Sequence, residues 1–108
     1  MVQADPEWCG GVSELVKICA IASVHGAHVI PHGHSIHAAM HVVASQSPDV
    51  CPLVEYLIGK MNGNYYHFEK NAPRPINGKL ILPDRPGFGI ELDSSKINKR
   101  GKITWRDL

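Results

Sequence analysis

Apolar and polar residues change period several times in the first half of the chain, and each change marks an element. Val2-Gln3-Ala4-Asp5 reads as a short strand. From Cys9 to Gly26, Val12, Leu15, Val16, Cys19 and Ala22 recur at helical spacing and predict a helix with one apolar stripe. Glu14 and Lys17 fall on its opposite face as an i,i+3 pair. Gly26 follows the last turn, where a left-handed residue stops a helix. His28-Val29-Ile30-Pro31-His32 is then a short buried strand, and Ser35 is placed to cap a second helix running to about Ser45. Pro48 and Pro52 bracket the turn that follows, and Leu53-Val54-Glu55-Tyr56-Leu57 has the make-up of a third strand. Strand, helix, strand, helix, strand is the order of a parallel sheet with crossover helices.

The second half is different, being rich in Pro, Gly and Asn. Lys79-Leu80-Ile81-Leu82 and Gly89-Ile90-Glu91-Leu92 are candidate short strands, while Pro73, Pro75, Pro83 and Pro86 keep the rest extended. The chain divides into 1–58, a set of barrel-type strands and helices; 59–97, an extended segment; and 98–108, a polar, loosely held tail. Three parallel strands with two helices have two open edges and an uncovered face. The fold class is therefore α/β, read as a piece of a larger barrel.

Composition narrows the function classes. The 108 residues carry 19% charged side chains and a net charge of +1, which gives no electrostatic footprint for nucleic acid or an anionic membrane. No apolar run is long enough to cross a bilayer, and Met1 to Glu7 lack the basic flank and apolar core of a signal peptide. Cys9, Cys19 and Cys51 form an odd set without a C-x-x-C pair, so they read as small hydrophobes in a reducing, cytoplasmic setting.

The candidate chemistry lies at strand ends. Two parallel strands joined by a crossover helix bring their C-terminal ends side by side, which places Asp5 next to His32. There an aspartate can hold a histidine and tune it for proton transfer. The plainer alternative is an aspartate capping its own turn and a histidine filling a loop. His32, His34, His37 and His41 also raise the question of zinc. His34, His37 and His41 share a helical face but span two turns, a poor arrangement for one ion. His37 and His41 are therefore read as surface or packing residues.

Several motifs together resemble the C-terminal part of the mandelate racemase branch of the enolase superfamily, in particular its acid-sugar dehydratases of the rhamnonate dehydratase type. They are Gln3-Ala4-Asp5, Gly10-Gly11-Val12-Ser13-Glu14, Val29-Ile30-Pro31-His32-Gly33, Glu55 within Leu53-Val54-Glu55-Tyr56, and Pro83-Asp84-Arg85-Pro86-Gly87-Phe88-Gly89-Ile90-Glu91-Leu92. The resemblance covers about residues 2–97. It implies the last three strands of a modified TIM (β/α)7β barrel and an extended tail returning to a capping domain, with an active site at the strands' C-terminal ends. It implies His32 as general acid–base, Asp5 as its dyad partner, and Glu55 as a hydrogen-bond donor to the substrate carboxylate as it becomes an enediolate. Glu55 also has a plainer reading as a half-exposed strand residue. His34 and Ser35 would line the substrate pocket.

The reaction implied is removal of the proton next to a carboxylate and loss of water from a sugar acid. The alternatives are a racemase or epimerase of the same superfamily, or a noncatalytic remnant completed by a partner chain. The implied cofactor is Mg²⁺, bound by three carboxylates on strands that would precede Met1. Asp49, Asp84, Glu91 and Asp93 lie in the wrong segments to replace them. The implied partners are a small sugar acid, the remaining barrel and cap or a complementing chain, and further copies in a homo-oligomer. Alone, the chain is expected to be inactive.

Overall fold

The computed structural model describes residues 1–61, 65–102 and 104–106. The tail expected over 98–108 therefore lies partly outside the described residues, at 103, 107 and 108. Helix α1 runs Val12–Val24, α2 Ile36–Ser45 and the short α3 Ile58–Met61, and a 3₁₀ turn covers Ser94–Lys96. Gly26 has a φ of 61° just past α1, the left-handed stop expected there. Lys17 and Glu14 pair at 2.6 Å on the outer face.

Residues 2–5 and 28–32 run parallel. Val2 N–H donates to His28 O (2.8 Å), Ile30 N–H to Val2 O (2.9 Å) and His32 N–H to Ala4 O (3.1 Å). On the other side of 28–32, Val29 N–H donates to Val50 O (2.8 Å) and Glu55 N–H to Pro31 O (3.2 Å). The order of the three segments is thus the one predicted. Their pairing is sparser than predicted, with isolated bridges among the described residues and no regular strand over Leu53–Leu57. Pro31 accounts for part of this. Its nitrogen falls in the row that faces 50–55 and has no proton to donate, so the ladder skips there.

Both helices cover one face of these segments. Leu15, Cys19 and Ala22 of α1 meet Val29, Val42 of α2 and Cys51 in one core cluster. Cys19 and Cys51 are buried with their sulfurs 3.5 Å apart, and burial followed by this contact pushes the Cys51 thiol up to about 12. Val16 departs from the predicted stripe and is half exposed. At 100° per residue it stands about 80° from the middle of the stripe formed by Val12, Leu15, Cys19 and Ala22.

The second half docks on α2. Phe68–Lys70 pair antiparallel with Glu91–Asp93, through Lys70 N–H to Glu91 O (3.0 Å) and Asp93 N–H to Phe68 O (2.7 Å). Lys79 is not the start of a strand: it closes a tight turn by exchanging hydrogen bonds with Ile76. The His41 ring packs on Phe88 (5.4 Å) and the His37 ring on Tyr66 (4.9 Å).

Candidate active site

Asp5 serves two neighbours at once. Its Oδ1 accepts from Glu7 N–H (2.8 Å), and its carbonyl accepts from Cys9 N–H (2.9 Å), which turns the chain toward α1. That leaves Oδ2 facing the adjacent segment. His32 reaches it because its own N–H is held by Ala4, one residue before Asp5. His32 Nδ1 stands 3.0 Å from Asp5 Oδ2. The aspartate side chain is 5% exposed and the imidazole 30%. Burial pushes the Asp5 carboxyl up, but hydrogen bonds from Glu7 N–H, His32 and His34 outweigh it and hold the group below its ordinary value of 3.8. The turn-capping role and the histidine contact thus coexist on one carboxylate, one oxygen each.

Glu55 lies across the imidazole. Its Oε2 is 3.6 Å from His32 Nε2 and accepts from Gly33 N–H at 3.1 Å. Gly33 is required by proximity, since a Cβ there would lie 2.6 Å from the Glu55 carbonyl oxygen. The Val29-Ile30-Pro31-His32-Gly33 run therefore ends where the backbone must pass close to Glu55.

His34 joins the pair more intimately than a pocket-lining position would. Its Nδ1 is 3.1 Å from Asp5 Oδ2 and 2.8 Å from His32 Nδ1. The Trp8 ring lies 5.2 Å away, Lys60 Nζ contacts its Nε2, and Tyr66 O–H donates to its carbonyl (2.6 Å). Burial raises the Tyr66 phenol to about 12, so it remains a donor at neutral pH. Trp8, Lys60 and Tyr66 were not singled out from the sequence. No local spacing marks them, since they meet His34 only when α1's entry turn, α3 and the second half converge.

Ser35 sits at the N-cap position of α2, but its side chain makes no capping bond. Its ψ of 62° is far from the extended cap conformation that aims a hydroxyl at the first amides. The other two histidines of the cluster turn elsewhere. His37 Nε2 is 2.9 Å from Glu69 Oε2, and His41 Nδ1–H donates to the His37 carbonyl (2.7 Å).

Mg²⁺ takes oxygen ligands in a near-octahedral shell. Among the described residues, the metal-ligating side chains that converge are Asp5, His32 and His34, a nitrogen-rich set. Glu91 instead pairs with Lys70 and Arg85, and Asp93 accepts from Ser95 N–H (3.1 Å). The residues present do not fit Mg²⁺.

The family model described as "Enolase C-terminal domain-like" matches residues 1–96. The L-rhamnonate dehydratase of Saccharopolyspora erythraea is 36% identical over 98 residues, covering 86% of this chain and 24% of that protein. A putative L-rhamnonate dehydratase of Caldivirga maquilingensis is 34% identical over 109 residues, covering 96% of this chain and 27% of that protein. The chain therefore spans about a quarter of the length of these curated relatives. No solved structure is significantly similar to it. With the model matching nearly its whole length, the chain belongs to the enolase C-terminal domain-like family.

Proposed function

We propose that this chain is the proton-transfer segment of a sugar-acid dehydratase, with His32 as general acid–base and Asp5 as its partner. The observation that carries the reading is the 3.0 Å contact between His32 Nδ1 and Asp5 Oδ2 at neighbouring C-terminal ends of two parallel segments. In this reading the Nδ1 proton is held by Asp5, which fixes the tautomer and leaves the Nε2 lone pair free. Nε2 takes the proton next to the substrate carboxylate, and Asp5 stabilises the imidazolium that forms. The C–O bond on the next carbon then breaks, and the same imidazolium gives its proton to the departing hydroxide, so one water leaves. In this reading Glu55, on the Nε2 side, donates a hydrogen bond to the carboxylate as its charge grows, and His34 borders the same space. The names of the two relatives support a dehydratase over a racemase or epimerase.

The segment is proposed to work as the last three strands of a modified TIM barrel, in the cytoplasm, and to be inactive alone. Family members typically use Mg²⁺, and its carboxylates would come from other barrel strands. A second reading, a noncatalytic remnant completed by a partner chain, draws on the open shape of the molecule. Replacing the matching quarter of the Saccharopolyspora relative with this chain separates the two. The chimera is expected to dehydrate a sugar acid and exchange its α-proton, and His32→Ala to reduce both by about 10²–10⁴-fold. A folded chimera with neither activity would support the remnant, and turnover unaffected by His32→Ala would end the dyad reading.

A further inference from the structure

Asp5 Oδ2, His32 Nδ1 and His34 Nδ1 form a triangle with edges of 3.0, 3.1 and 2.8 Å. Protons cannot satisfy all three edges while the carboxylate is ionised. If only His32 Nδ1 is protonated, His34 and Asp5 oppose lone pairs. If only His34 Nδ1 is protonated, His32 and Asp5 do. If both are protonated, two N–H groups meet, and if neither is, every edge opposes lone pairs. A cation above the triangle satisfies all three donors together. Atoms about 3.0 Å apart lie about 1.7 Å from the centre of their triangle, so an ion about 1.1 Å above the plane stands about 2.0 Å from each, the usual Zn–N and Zn–O distance.

We propose that Asp5, His32 and His34 form a binding site for a borderline-soft divalent cation of the Zn²⁺ type. Two imidazoles and one carboxylate are the donor set such ions prefer over Mg²⁺. With the ion on Nδ1, His32 keeps its proton on Nε2, and Glu55 Oε2 already lies 3.6 Å away on that side, held by Gly33 N–H. A carboxylate behind a metal-bound histidine is a recurrent support for such sites. A pocket of about 350 Å³ lined by Gln3, Asp5, Trp8, Cys9 and His32 reaches two corners of the triangle, Asp5 and His32, and gives room for a fourth ligand such as water. The opposing element is Lys60, whose ammonium sits on His34 Nε2. Metal on Nδ1 puts a proton on Nε2 and displaces that ammonium, which the exposed Lys60 side chain can accommodate. An ion here also occupies the Nδ1 that the proton-transfer reading assigns to Asp5, so Zn²⁺ would inhibit. The binding claim itself does not depend on that reading.

The test is Zn²⁺ titration of the chelator-treated chain by calorimetry, with Co²⁺ absorption as a spectroscopic probe. One Zn²⁺ per chain is expected, with the visible bands of four-coordinate Co²⁺. His34→Ala and Asp5→Asn should each weaken binding by about 10–100-fold or more, Lys60→Glu should tighten it, and His25→Ala should leave it unchanged. Because Asp5 also holds a turn, imidazole ¹⁵N spectra of the unsubstituted chain give an independent reading: Zn²⁺ should shift the Nδ1 of His32 and His34 and not that of His37. Absence of binding, binding insensitive to His34→Ala, or Zn²⁺ shifts centred on His37 would overturn the proposal.

Discussion

Glu69 and His37 are both buried, with side chains 2% and 9% exposed, and burial disfavours the charged form of each. Glu69 Oε2 and His37 Nε2 are 2.9 Å apart but out of line for a hydrogen bond, so Oε2 has no donor. Burial raises the Glu69 carboxyl above 4.5. Burial, and then the charge of His41, lowers the His37 imidazole below 6.5. The Glu69 contribution to stability is therefore full below its ordinary value and lost as pH rises through its raised one. The His37 contribution is full above 6.5 and lost as pH falls through its lowered value. Glu69→Gln should raise the urea midpoint relative to the native chain at about pH 7.5 and change it little at about pH 4. An equal effect at both pH values would mean that the carboxylate is compensated by a partner. This pair was not legible in the sequence, where His37 is one of four clustered histidines and Glu69 lies in a Pro- and Asn-rich stretch. The Asp5–His32 pair was legible, because one strand–helix–strand unit separates them.

The helices test how far hydrophobic period alone describes an element. The same stripe predicted Leu15 and Val16 as inward, yet Leu15 is fully buried and Val16 is 39% exposed. Leu15→Ala should cost about 2–5 kcal/mol, whereas Val16→Ala should stay within about 0.5 kcal/mol, measured by denaturant unfolding. Similar losses at both positions would mean that α1 sits in a different rotation. The start of α2 shows the converse. Ser35 has the right residue type for a cap and the wrong backbone for one, because its neighbour His34 is held by Asp5 and Tyr66.

The whole molecule is more open than its length requires. Its radius of gyration is 15.4 Å, against about 13 Å for a compact domain of this size. Its accessible surface is 7637 Å², against about 5,900 Å² for a folded monomer of 11.8 kDa. Trp8, Ile21, Val24, Leu53, Ile58 and Ile81 are all more than 60% exposed. Open parallel segments with apolar flanks bind apolar dyes and associate. The isolated chain should enhance anilinonaphthalene sulfonate fluorescence and elute as concentration-dependent assemblies in size-exclusion light scattering, and the chimera should do neither. A dye-silent monomer would mean that these faces need no cover. No described helix is long and apolar enough to cross a membrane.

Local pattern along the chain is enough for the order of elements, the helix stop at Gly26 and the meeting of Asp5 with His32. These follow from local periodicity, a left-handed turn and the parallel crossover, which act over a few residues or one unit. Packing of distant segments sets the rest: His34 shares the Asp5 oxygen, Lys60 and Glu55 flank the two imidazoles, and His37 turns to Glu69. Those contacts join residues 23 to 32 positions apart from separate elements, and a side chain's direction at such a junction is set by packing, which no local pattern encodes.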